Sequence, residues 1–157
     1  MSTSNAWLLE CGDALTVAVS DHEIVECVQP ERYYSIPGTP DYCCNVLAWQ
    51  DKLVPVMDMA AALHGEHRAQ SEPLLACLLS YQLAPKQPLQ YLALRISQTP
   101  QKIQVEDEQV CEVPTEGISQ LLASVSFCCF SHQQLPVAIL NIEKLCSEEF
   151  RELAQAS

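Results

Sequence analysis

The chain has 157 residues, of which 48% are hydrophobic and 18% charged, and its 20 acidic side chains against 8 Lys and Arg give a net charge of −12. That length sets one domain, or two small lobes on a common core, and the apolar content excludes wholesale disorder. So acidic a surface repels phosphate backbones and anionic headgroups, which argues against nucleic acid and membrane-surface partners.

Taken in order, Trp7-Leu8-Leu9 reads as a strand entering a tight turn at Gly12-Asp13. Leu15, Val17 and Val19 alternate with smaller or polar residues, the pattern of a half-buried strand, and Ile24 to Val28 is a third β-rich run. Ser35 to Pro40 is a loop whose two prolines cannot donate to a ladder. Cys43 to Trp49 and Leu53 to Met57 form a hairpin around Gln50-Asp51-Lys52, followed by a helical turn at Met59 to Leu63 that Gly65 ends.

The polar segment 65–73 divides the chain into subdomains at about 7–64 and 74–157 of one domain. Beyond it the order recurs. Leu74 to Tyr81 and Tyr91 to Ile96 are strands around a turn at Pro85 to Pro88, and Ile103 to Val113 is an acidic strand broken by Pro114. A loop or short helix at Gly117 to Ala123 leads to a second hairpin, Ser126 to Phe130 with Val137 to Ile142 around His132-Gln133-Gln134. Glu143 to Ala156 is an amphipathic helix. Equivalent positions drift apart: Leu8 to Leu75 is 75 − 8 = 67, Val19 to Leu94 is 94 − 19 = 75 and Asp58 to Asn141 is 141 − 58 = 83. Short strands with frequent turns point to an all-β fold of barrels or sandwiches, with halves of about seventy residues that pack together or exchange an element.

The longest apolar runs, such as Leu74 to Leu79, are too short to cross a bilayer. Met1 to Ala6 has no basic region, and Glu10 and Asp13 interrupt the apolar residues after it, so a soluble cytoplasmic protein without membrane insertion is expected. Nine cysteines, an odd count without an export signal, read as reduced thiols packed as small hydrophobes.

Catalytic signatures are absent: no phosphate-binding glycine loop, no dinucleotide fingerprint and no nucleophile elbow. Cys43-Cys44 and Cys128-Cys129, read on strands, each send one thiol to either face, which suits packing better than a shared zinc. His64-Gly65-Glu66-His67 reads as a helix C-terminus rather than a metal pair, and Glu106-Asp107-Glu108 as a solvated strand end. No enzyme, no metal and no cofactor is expected. The alternative is a cysteine-rich thiol or metal-binding protein on the same fold.

Glu23-Ile24-Val25-Glu26, the loop Ser35-Ile36-Pro37-Gly38-Thr39-Pro40, the hairpin strand Asn45 to Gln50, and Leu53-Val54-Pro55-Val56-Met57-Asp58 resemble, in order and spacing, the CheW-like family of bacterial chemosensory coupling proteins. Leu135 to Ile142 repeats the hairpin more loosely. The resemblance implies two SH3-like five-stranded barrels with short helices and a C-terminal helix. It also implies a non-enzymatic adaptor bridging a CheA-type histidine kinase and a methyl-accepting chemoreceptor, in this case a divergent member that suits a type IV pilus or twitching-motility system. It places Glu23, Ile24, Trp49, Gln50 and Asp51 on the partner-binding surface. Where the family carries Asn-Leu-Arg-Gly this chain has Ala48-Trp49-Gln50-Asp51, so the arginine's planar charged fork is replaced by an amide and a carboxylate.

Overall fold

The computed structural model describes residues 3–11, 15–30, 33–64, 75–82, 84–106, 108, 110–111 and 120–156. Its first half holds β1 (Thr3–Glu10), β2 (Thr16–Ser20), β3 (Ile24–Val28), β4 (Tyr34–Ser35), a 3₁₀ turn (Asp41–Cys43), β5 (Asn45–Trp49), β6 (Lys52–Met57) and α1 (Met59–His64). The second half holds β7 (Leu75–Tyr81), β8 (Gln90–Ile96), β9 (Gln101–Glu106), β10 (Val110–Cys111), α2 (Gln120–Ser124), β11 (Ser126–His132), β12 (Leu135–Leu140), α3 (Ile142–Leu145) and α4 (Glu148–Ala156). The fold is mainly β, as expected.

Two sheets of identical plan carry the structure. One runs β10-β11-β12-β2-β1-β9, the other β4-β5-β6-β8-β7-β3, so each has five longer strands and a two-residue edge strand. Both sheets draw on both sequence halves: β1 and β2 lie with β9 to β12, while β7 and β8 lie with β3 to β6. The exchange is also seen in the parallel contacts. Ile139 pairs with Ala18 in the first sheet as Val56 pairs with Ala93 in the second, separations of 139 − 56 = 83 and 93 − 18 = 75. Leu8, opposite Ala18, corresponds to Leu78, opposite Ala93, so the first offset is 78 − 8 = 70 rather than 67. The segment 65–74 and the turn at Gly12-Asp13 lie outside the described residues.

Because each central strand is covered on both faces, its sequence is nearly continuously apolar. Val17 and Val19 of β2, Cys77 and Leu79 of β7, and Leu92, Leu94 and Ile96 of β8 point into a core shared by the two sheets. Their neighbours alternate away: Ala18 joins a core with Leu8, Phe130 and Val137 in the first sheet, and Ala76, Leu78 and Ala93 join Leu47, Val54 and Val56 in the second. The half-buried strand expected around Val17 is therefore buried on both faces at its centre, since Ala18 is as inaccessible as the valines beside it.

Four local readings are corrected. Cys43 closes the 3₁₀ turn and Cys44 follows it, so neither lies on a strand. Ser35 belongs to the edge strand β4, not to the loop. The acidic strand is two strands, β9 and β10, with β9 ending at Glu106 opposite Thr3. The C-terminal helix breaks after Leu145: the Ser147 hydroxyl donates to the Lys144 carbonyl (2.6 Å) and accepts from the Phe150 N–H (3.2 Å), ending α3 and capping α4. Leu145 and Phe150 still reach the shared core.

Candidate partner surface

The hairpin β5–β6 presents the most elaborate surface of the described residues. Trp49 and Lys52 pair directly, leaving Gln50 (φ 47°) and Asp51 (φ 64°) as a two-residue turn with both residues left-handed. Such a turn matches strand twist but strains any residue with a Cβ. Alternation then splits the hairpin into two faces. Leu47, Trp49 and Val54 face the core of the second sheet, whereas Ala48 and Leu53, opposite each other, face solvent, with Leu53 69% exposed.

Trp49 is held by two contacts, and a third braces its aromatic partner. Its ring lies 5.2 Å from that of Tyr91 on β8, its indole N–H donates to Glu26 Oε1 on β3 (3.2 Å), and Lys52 Nζ stands 4.4 Å over the Tyr91 ring. A half-buried aromatic pair framed by one carboxylate and one ammonium offers an apolar body with polar edges, the composition that suits a protein contact. The solvent face adjoins it: exposed Tyr34 and Pro55 flank Val46 in register, beside Ala48 and Leu53.

Of the five residues read from the sequence, Trp49, Gln50 and Asp51 therefore form one cluster. Ile24 does not join it, because its side chain packs against the shared core. Glu23, between β2 and β3, is bound through its backbone: its N–H donates to Ser20 and its carbonyl accepts from Ser80. Burial, reinforced by the Glu143 carboxylate, raises the Glu23 carboxyl above its usual range, although the Ser20 contact and His22 oppose this. Sequence reasoning missed Glu26, Lys52, Tyr91, Tyr34 and Leu53 as surface partners. Glu26 and Lys52 carried a signal, being charged residues in an expected strand and an expected hairpin turn, but Tyr91 is 42 positions from Trp49 (91 − 49) and only the exchange of strands brings it near.

A second concavity of about 330 Å³ lies between the 3₁₀ turn and α4, lined by Pro40, Tyr42, Met57, Leu92, Leu145 and Arg151. Cys43 and Cys146 also line it. Burial pushes the Cys146 thiol up to about 11, against a hydrogen bond with Tyr81 that lowers it, and burial likewise raises Cys43. Both are protonated near neutrality, which leaves this cleft without a thiolate nucleophile. Among the described residues no group of three or more His, Cys, Asp or Glu is placed to hold a metal ion. Of the His64–His67 pair, His67 lies outside the described residues.

The doubled sheet plan with its exposed hairpin agrees with a family comparison. The CheW-like domain model matches residues 6–150. The chain belongs to the CheW-like family. Its structure is similar to that of the scaffolding protein TtCheW from Thermoanaerobacter tengcongensis, with a TM-score of 0.72 over 94% of this chain and 90% of that one, at 12% sequence identity. At that identity the match speaks for a CheW-like fold alone. Comparison with curated protein sequences gives no significant match.

Proposed function

We propose that this CheW-like protein is a non-enzymatic adaptor of bacterial chemosensory signalling, bridging a CheA-type histidine kinase and a chemoreceptor in the cytoplasm. One observation carries the reading: in a chain of this family, one hairpin gathers an exposed leucine, a strained turn and a tryptophan stacked on Tyr91 of the neighbouring β8. Trp49, Gln50 and Asp51 form the centre of the contact, with Glu26, Lys52, Tyr91 and Leu53 around them; Glu23 and Ile24 shape the adjoining seam from below. An apolar centre with a charged rim is the usual build of a transient protein interface. The protonated thiols of the cleft and the missing catalytic motifs favour binding over chemistry. No helix among the described residues is long and apolar enough to cross a membrane.

The test is affinity capture from the source organism with the folded full chain as bait, followed by calorimetry against the recovered kinase regulatory domain or receptor tip. Recovery of a CheA-type kinase or a chemoreceptor with micromolar affinity supports the adaptor reading. Recovery of neither by a folded bait refutes it.

A further inference from the structure

Cys27 on β3 and Cys77 on β7 stand directly opposite each other in the antiparallel ladder. Opposed residues project to one face with Cα atoms about 4.5–5.5 Å apart, inside the range of about 4.4–6.8 Å that a disulfide spans. The burial pattern assigns the same face independently. Cys77, Leu79 and Leu79's partner Ile24 belong to the shared core, whereas Val28 and Ala76, the pair beside the cysteines, belong to the core of the second sheet. Both cysteines are free thiols, Cys27 exposed and Cys77 buried. Their closeness also registers electrostatically: Cys77 is raised first by burial, then by Cys27 and by Cys11.

We propose that Cys27 and Cys77 form an oxidisable dithiol that closes under a peroxide into a cross-strand disulfide. The Cys27 thiolate attacks the O–O bond of hydrogen peroxide, forming an S–O bond and releasing one water after proton transfer. Cys77 then gives its proton to the departing oxygen as its sulfur attacks Cys27 Sγ; the S–S bond forms, the S–O bond breaks and a second water leaves. Two thiols lose two electrons and the peroxide gains them. The exposed sulfur meets the oxidant and the buried one resolves it, which protects Cys27 from further oxidation.

Among the described residues, strand β3 is the edge of its sheet and pairs with β7 alone. A bond from Cys27 to Cys77 therefore ties down the edge strand that supplies Glu26 to Trp49. Since burial raises both thiols, closure is expected to be slow at neutral pH and to accelerate toward pH 9. This inference is independent of the adaptor reading.

The native full-length protein is exposed to hydrogen peroxide, its remaining thiols are alkylated, and it is digested without reduction for mass spectrometry. The expected product is two hydrogens lighter and yields one cross-linked pair containing Cys27 and Cys77. Cys27→Ser, at an exposed position, removes that pair and leaves Cys77 alkylatable after unfolding. Peptide mapping separates this link from any at Cys111 and Cys129, which are also opposed in register. Oxidation of Cys27 to a sulfinic acid while Cys77 stays a thiol overturns the proposal, as does a cross-link found only elsewhere.

Discussion

Asp58 and Asn141 occupy the same junction in the two hairpin units, each accepting a hydrogen bond from the backbone N–H three residues on. Asp58 Oδ1 accepts from Ala61 (3.1 Å) and Asn141 Oδ1 from Lys144 (3.3 Å), so each ends a strand and starts a helix. What separates them is charge. Asp58 also meets Arg95 Nη1 at 3.6 Å, and the two residues are 9% and 7% exposed. Arg95 Nε has no hydrogen-bond partner, and its guanidinium lies 5.6 Å over the Tyr33 ring.

Substitution should separate cap from counter-charge. Asn141→Ala removes only a cap and is expected to lower stability by about 1 kcal/mol. Asp58→Asn keeps a capping oxygen but strands the buried guanidinium, with an expected loss of about 3 kcal/mol. Adding Arg95→Met to Asp58→Asn should restore most of that loss, because the unpaired charge is then gone. Urea unfolding of the four proteins reads all three values. A loss at Asp58→Asn no larger than at Asn141→Ala would mean the ion pair is immaterial.

The two hairpin turns make a second pair. Gln50-Asp51 and Gln133-Gln134 (φ 51° and 67°) all hold the left-handed conformation without a glycine among them. Asp51→Gly and Gln134→Gly should each raise stability by about 1 kcal/mol by relieving that strain. The gains should add, since the turns lie in different sheets. A neutral or negative shift in the unfolding midpoint would show that the turns carry no strain.

These turns also show how far the sequence could be read. The hairpins and the succession of strands along the chain followed from alternation and from where polar pairs interrupt apolar runs, because those signals are local. The partnership of β1 and β2 with β9 to β12 was not legible beyond a general expectation of exchange, since pairing between strands a hundred residues apart leaves no periodicity. For the same reason Ile24 could not be told from a surface residue by its neighbours, and Tyr91 could not be matched to Trp49. The spacing of Leu145, Phe150, Leu153 and Ala154 reads as a single C-terminal helix, whereas the Ser147 hydroxyl captures the backbone on both sides and divides it.

Buried thiols give the fold an alkaline limit. Burial, assisted by Asp58, pushes Cys11 up to about 12, and burial with Cys27 and Cys11 does the same to Cys77, from an ordinary value of 9.0. Both are held protonated in the folded state and ionise more readily when unfolded. Their contribution is therefore complete below pH 9 and is lost progressively as pH rises toward 12. Stability measured by denaturant at fixed temperature should stay flat up to about pH 9 with respect to these groups and then fall. Cys11→Ala should flatten the fall while lowering stability at neutral pH by removing buried volume. An unchanged alkaline slope in that variant would show that Cys11 does not titrate.

The turn also fixes how the proposed partner surface can be tuned. Gln50 and Asp51 stand at the exposed tip of the hairpin, so changes there leave Trp49 and its contacts in place. Gln50→Arg with Asp51→Gly installs a planar cationic fork on an unstrained turn, suited to a carboxylate across an interface. Affinity for a CheA-type regulatory domain should rise about tenfold, about 1.4 kcal/mol, with a steeper salt dependence. Asp51→Gly alone reports what the lost carboxylate and the relaxed turn contribute, and the difference between it and the double variant isolates the arginine. Trp49→Ala, checked for folding by circular dichroism, should weaken the same complex by about 2 kcal/mol as the loss of a central aromatic anchor. If calorimetry finds the complex indifferent both to the added arginine and to Trp49→Ala, the contact lies elsewhere on the sheets and the hairpin is only a structural turn.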